Sequence, residues 1–342
     1  MWGRLIGHGG GSKAIDRRSL LRRAIVGGTV FGSLDRIPGP ALFADEPKRS
    51  PVEEAEGELE RAQSLARVAT RLPLVVARTD QYQGVGDVSE SFLKLALGDC
   101  ENIAEDYFDY YQRQGFDVKR PGRRLTLVVF RDERPYLEFA RKFVRGLTQF
   151  DWGFYSKAEN WLVLFDFRNV PASERGAAYK NVRVLAHEAT HQLTFNSGLL
   201  NRKGDLPRAV VEGLASYSET RPLHGHGEPG KLNGALLDDL AHILRRAKWT
   251  TATDLLTDDN AAFGNTLDQR LLAYAQGWLL VYHLMKTPAR LPQLQAYLKT
   301  ITTRTNNDRR YDDAERHFGD LDRLDQELRR EAIQLQISRQ TR

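Results

Sequence analysis

The chain reads as an α+β protein, with a mixed α/β lobe carrying a small sheet over about residues 58–180 and a mainly helical lobe over about 181–342. Three observations predict this. Short, valine-rich apolar runs bounded by polar segments are confined to the first half. From about Val182 onward the apolar residues recur almost throughout at helical spacing. No repeat and no clear linker separates the halves, and 342 residues are enough for one large domain with two lobes.

In chain order, residues 45–57 (DEPKRSPVEEAEG) are polar, with two prolines and a glycine, and read as a linker. Glu58 to Arg71 places Leu59, Ala62, Leu65 and Ala66 on one helical side. Leu72 to Arg78 reads as a strand. A long helix follows from about Ser89 to Gln114, with Phe92, Leu95, Ala96, Ile103, Tyr107 and Tyr110 near register and Gly115 as its stop. Leu125 to Phe130 is a second strand, and Pro135 to Arg145 a helix with proline in its permitted first turn. Trp152–Tyr155 and Trp161–Phe165, joined by polar residues, form a candidate hairpin.

The isoelectric point of about 9.2 suggests a nucleic-acid partner until the charge is located. Removing the seven Lys or Arg and two Asp of residues 1–44 from totals of 50 and 45 leaves 43 of each. The remainder is formally neutral, which argues against nucleic-acid binding. No run of 18 apolar residues predicts a membrane span. The single cysteine, Cys100, excludes an intrachain disulfide and reads as a small buried residue.

The first 44 residues have the order of an export signal. Asp16-Arg17-Arg18-Ser19-Leu20-Leu21-Arg22 resembles the twin-arginine motif, an uncharged stretch follows from Ala24 to Leu34, and Leu42-Phe43-Ala44 offers a cleavage region before Asp45. The expectation is an exported protein, periplasmic or extracellular.

The string Val184-Leu185-Ala186-His187-Glu188-Ala189-Thr190-His191-Gln192-Leu193 contains H-E-x-x-H. On a helix its two histidines lie on one face, one turn apart, where two imidazoles can converge on one Zn²⁺. Glu188 is then placed to take a proton from water activated by the metal. The motif fixes few residue types, so a third ligand decides its meaning. The continuation H-x-x-G-x-x-H needs glycine at 194 and histidine at 197, where this chain has Thr194 and Ser197. Glu212, 21 residues after His191, stands on a second predicted helix that follows the break at Asn196-Ser197-Gly198 and opens at Pro207. Gly213 and Ala215 are small enough for that helix to approach the first closely. His224 and His226, in a glycine-rich loop, are the rival third ligands.

HEATHQLTFN followed by PRAVVEGLASYSE resembles the exported, gluzincin-like bacterial metallopeptidase domains described as peptidase MA-like, whose substrates are largely unknown. Gly153-Phe154-Tyr155 and Tyr274-Ala275-Gln276-Gly277-Trp278 extend the resemblance over about residues 70–335. It implies a zincin-like, thermolysin-type catalytic core holding one Zn²⁺ through His187, His191 and Glu212, with Glu188 as general base and a peptide or protein as substrate. It also implies an oxyanion donor, for which Tyr274 is the candidate, with core packing as the other role open to it. Tyr217 and Glu219 are candidates for supporting the ligands. The Trp161–Phe165 strand resembles the cleft-edge strand that pairs with a peptide backbone in such enzymes. The alternative function is an exported, non-catalytic protein in which the metal is a structural staple closed by a fourth protein ligand.

Overall fold

The computed structural model describes residues 50–143, 152–169, 177–223 and 225–340. The twin-arginine-like segment and His224 lie outside the described residues. Among the described residues a five-stranded sheet and twelve α-helices form a mixed α/β lobe followed by a mostly helical one.

The chain is helical earlier than its composition predicts: α1 spans Pro51–Ala69, inside the expected linker. Ser50 accepts the backbone N–H of Glu53, whose side chain returns the bond to the N–H of Ser50, and Pro51 occupies the first turn, where its missing N–H costs nothing. The proline mistaken for a linker residue is part of a helix start.

Strands β1 (Val75–Arg78), β2 (Tyr82–Gly86), β3 (Leu125–Phe130), β4 (Gly153–Ser156) and β5 (Trp161–Phe165) lie in the order β1-β2-β3-β5-β4. The central pairs β2–β3 and β3–β5 are parallel, and β1 and β4 flank them antiparallel. The hairpin expected of β4 and β5 forms. Its place differs from expectation, because β5 is interior, between β3 and β4, and the edge is β4. Strand β2 was missed in the sequence because Tyr-Gln-Gly-Val-Gly lacks an apolar run.

Neighbouring residues of β2 show how the sheet is covered. Gln83 bonds the carbonyl of Ala55 on α1, whereas Gly84 faces Leu93 and Leu97 of α2 (Glu90–Arg113). Successive strand residues point to opposite faces, so α1 and α2 cover opposite sides. With α1 packs α3 (Glu133–Ala140), which is shorter than expected, and with α2 packs α4 (Ala177–Asn196), which also lies on β4 and β5. Coverage on both faces explains why β3 and β5 are buried at every residue. On α2 the register holds for Phe92, Ile103 and Tyr107 but not for Leu95, which is 44% exposed. Cys100 is fully buried.

The second lobe comprises α5 (Arg208–Ser218), α6 (Gly234–Ile243), the short α7 (Ala252–Thr257) and α8 (Asp259–Phe263), α9 (Leu267–Lys286), α10 (Leu291–Ile301), α11 (Arg310–Phe318) and α12 (Leu321–Gln340). Helix α9 is the hub: it is buried almost throughout from Leu272 to Met285 and touches α5, α6, α8, α10 and α12. No helix among the described residues is long and apolar enough to cross a membrane.

Candidate metal centre

Helix α4 carries the H-E-x-x-H string against the sheet. Val184, Leu185, Ala189 and Leu193 are buried apolar residues of that helix. Gln192 donates to the carbonyls of Thr126 on β3 (3.1 Å) and Asn160 in the β4–β5 turn (2.8 Å). Asn196 donates to the Asn160 side chain at 2.7 Å. These bonds fix the helix in rotation and in height, which sets where its two histidines point. Helix α5 is fixed at its start, where Asp259 accepts the backbone N–H of Arg208 at 2.8 Å. Asp259 and Asp205 are in turn held by the buried Arg310.

These two helices bring His187, His191 and Glu212 into one buried group that can hold a metal ion. Nε2 of His187 lies 3.1 Å from Nε2 of His191 and 3.3 Å from Oε2 of Glu212, and the third side of the triangle is 3.4 Å. Ligands about 2.05 Å from a tetrahedral ion stand about 3.3 Å apart, so the triangle has the dimensions that a zinc site requires. Two imidazole lone pairs and a carboxylate converging in a dry interior also need a positive charge among them. The donor chemistry and spacing therefore fit zinc.

The electrostatics describe the same need. Burial opposes protonation of His187, but its donation to the Glu212 carboxylate and the charges of Glu188 and Glu219 outweigh it and raise its pKa to about 9. Burial lowers that of His191. Burial would raise Glu212, yet its two histidine partners bring it down to about 2. Burial pushes the Glu188 carboxyl up to about 8.

Behind His187 stands Glu219, with Oε2 4.0 Å from Nδ1. Glu219 is itself held by Arg183 at 3.2 Å and by Asn233 at 2.8 Å. A carboxylate on the far ring nitrogen of a ligating histidine sets its tautomer and orientation. Of the two residues expected to support the ligands, Glu219 is the one beside His187, close enough for attraction but without a hydrogen bond to Nδ1. Tyr217 instead bonds the hydroxyl of Tyr110.

Glu188 is 1% exposed, and both its oxygens lack a hydrogen-bond partner among the described residues. Edge strand β4 runs past it: a Cβ on Gly153 would lie 3.4 Å from Cγ of Glu188 and 2.7 Å from Val184. Gly213 does not face α4 as expected. It faces α9, where a Cβ would collide with the Gly277 carbonyl, while a Cβ on Gly277 would come within 2.6 Å of the Ala209 carbonyl. This mutual glycine contact lets α5 and α9 approach closely.

Through that contact Tyr274 comes near the group, linked by a residue the sequence reading overlooked. Arg208 donates to the Tyr274 hydroxyl at 3.3 Å, and its Nε lies 3.9 Å from Oε1 of Glu212. Tyr274 is 2% exposed and packs edge-on against Phe263. Arg208 stands four residues before Glu212 and Arg183 four before His187, so helical spacing was an available signal for both. Asn233 had none, because it reaches Glu219 from a separate helix start. His226 bonds Asp106 at 2.9 Å and does not join the metal-binding group. His283 bridges to Glu327 (3.3 Å) and Glu331 (3.5 Å) on α12, a structural role.

No curated protein matches the chain. Residues 181–308 match a family described as a protein of unknown function (DUF1570). The matched stretch includes His187, His191 and Glu212 together with Glu188, Arg208, Glu219 and Tyr274.

Proposed function

We propose that this chain is a zinc-dependent hydrolase of the gluzincin type, built on a thermolysin-type core and cleaving peptide bonds. The observation that carries the proposal is the buried triangle of two Nε2 atoms and one carboxylate oxygen, with sides of 3.1, 3.3 and 3.4 Å, next to the buried carboxylate of Glu188. His187, His191 and Glu212 hold the ion. Bound zinc supplies Lewis acidity, which makes water acidic enough to be deprotonated near neutral pH. Glu188 accepts that proton and passes it to the leaving amine. Glu219 keeps His187 in its ligating orientation. Tyr274, oriented by Arg208, donates to the oxygen on which charge develops. Strand β4, at the edge of the sheet among the described residues, is the candidate to pair with an extended peptide. The twin-arginine-like leader suits a protein that folds around its metal before export.

The test begins with elemental analysis of protein starting at Asp45. One zinc per chain is expected, with loss of zinc in His191→Ala and in Glu212→Ala. Glu188→Ala should keep its zinc and lose peptidase activity on a mixed peptide library. A zinc-loaded Glu188→Ala protein as active as the parent sinks the hydrolase reading.

A further inference from the structure

Arg208 is built into the metal centre without being used up by it. Its side chain is 20% exposed, and its guanidinium carbon sits over the Phe263 ring, 4.1 Å from the centroid. Among the described residues its side chain makes one hydrogen bond, to Tyr274. Nε is buried without an acceptor and approaches Glu212 only to 3.9 Å, which is attraction without a hydrogen bond. A guanidinium has five N–H donors in a rigid plane. One donor, Nε, is therefore buried and unsatisfied, which is costly, while the remainder of the fork reaches Tyr274 or solvent. The nearest carboxylate to Arg208 is the proposed third metal ligand, Glu212, whose negative charge is shared with the ion, and Asp259, which also attracts it, is already paired with Arg310. What this leaves is a positive, pre-oriented, partly solvent-accessible fork one helical turn from the ligand Glu212. Stacking on Phe263 and the bond to Tyr274 hold that fork still, which lowers the entropy cost of receiving a partner. The group it matches by charge and plane is a carboxylate.

Resting on the zinc-hydrolase reading, we propose that Arg208 docks a carboxylate of the substrate beside the metal, so that the enzyme selects peptides with a free carboxylate adjoining the bond cut. That carboxylate is either the peptide's C-terminus or an acidic side chain, and both present the same planar anion.

The test uses binding to the zinc-loaded protein, read by calorimetry, with three small thiols: mercaptoacetyl-alanine, mercaptoacetyl-alaninamide and the α-amide of mercaptoacetyl-aspartate. The thiol ligates zinc in each, and only the carboxylate differs. The expected result is that one carboxylate-bearing probe binds about tenfold to a hundredfold more tightly than the alaninamide, the range of a hydrogen bond to a charged group. A preference for mercaptoacetyl-alanine identifies the C-terminus as the source, and a preference for the aspartate probe identifies a side chain. Arg208→Gln should abolish the preference among the three probes, and Arg208→Lys should retain part of it. Equal affinity of the parent for all three probes overturns the inference, as does a preference that survives in Arg208→Gln. Should the variants fail to fold, the parent's three affinities alone decide. A parent that takes up no zinc defeats the hydrolase reading instead, so the two failures are distinguishable.

Discussion

His187 is addressed by two carboxylates, Glu212 at Nε2 and Glu219 at Nδ1. The first binds metal in the proposed site, and the second attracts the ring from 4.0 Å without a hydrogen bond. Glu219→Ala should therefore leave the fold intact yet weaken zinc binding about tenfold to a hundredfold, measured by competition with a chromogenic chelator. Unchanged zinc affinity would reduce Glu219 to a partner of Arg183 and Asn233. Near this cluster Asp239 is half-buried, and burial raises its carboxyl to about 7 despite Arg183, with Asp238 and Glu219 adding to the rise. A carboxyl whose folded pKa exceeds its unfolded value of about 3.9 favours folding only while it is protonated. Its contribution is complete below about pH 4 and is lost as pH rises through about 7. Asp239→Asn should thus gain thermal stability relative to the parent between pH 5 and about pH 8, seen as diverging melting temperatures. Parallel curves would show that Asp239 is solvated like any surface carboxylate.

At the scale of elements, α5 is the piece that completes the site, and its position depends on a contact remote from the metal. Ala209 and Gly213 of α5 face Gly277 of α9 with no room for a Cβ. Gly277→Ala pushes a methyl group onto the Ala209 carbonyl, and overpacking of this kind costs about 1–3 kcal/mol. Urea denaturation should show that loss, and zinc affinity should fall with it because Glu212 moves with α5. Helix α4 is held differently, by Gln192 and Asn196 bonded to Asn160. Asn160 adopts φ 62°, a left-handed conformation that asparagine tolerates better than most residues. The β4–β5 turn thus sets both the edge strand and the metal helix.

For the whole molecule, the candidate metal centre lies where the lobes meet. Helix α4 belongs to the sheet and α5 to the helical bundle around α9. An ion shared by His187, His191 and Glu212 ties the lobes together, and a ligand that binds only the folded state stabilises it by mass action. Stripping zinc with a chelator should lower the melting temperature, by about 1–2 °C for each kcal/mol of binding energy lost in a chain of this size. The same treatment of Glu212→Ala should have no effect. A parent equally stable with and without chelator would mean that the three side chains pack without a metal.

Much of the site was legible in the sequence because its geometry is local. Spacing i, i+4 on a helix puts His187 and His191 on one face whatever surrounds them, and Glu188 follows from the same helix. Glu212 was legible for a weaker reason: Pro207 and Gly198 mark where one helix ends and the next begins, which makes a fold-back plausible without placing it. Strand β3 and the β4–β5 hairpin were visible as β-branched and aromatic runs. The tertiary structure alone decided the rest. Strand β2 is a strand because β1 and β3 pair with it, while its own glycines argue against it. The sheet edge is β4 and not β5, since strand order depends on contacts between distant segments. Gly213 serves α9 because helix packing, which residue size cannot foretell, chooses its partner. Arg208 acquires a role only when Phe263, Tyr274 and Glu212 converge on it from three helices. Chemistry carried by one helix can be read along the chain, whereas chemistry shared between elements exists only once the core has placed them.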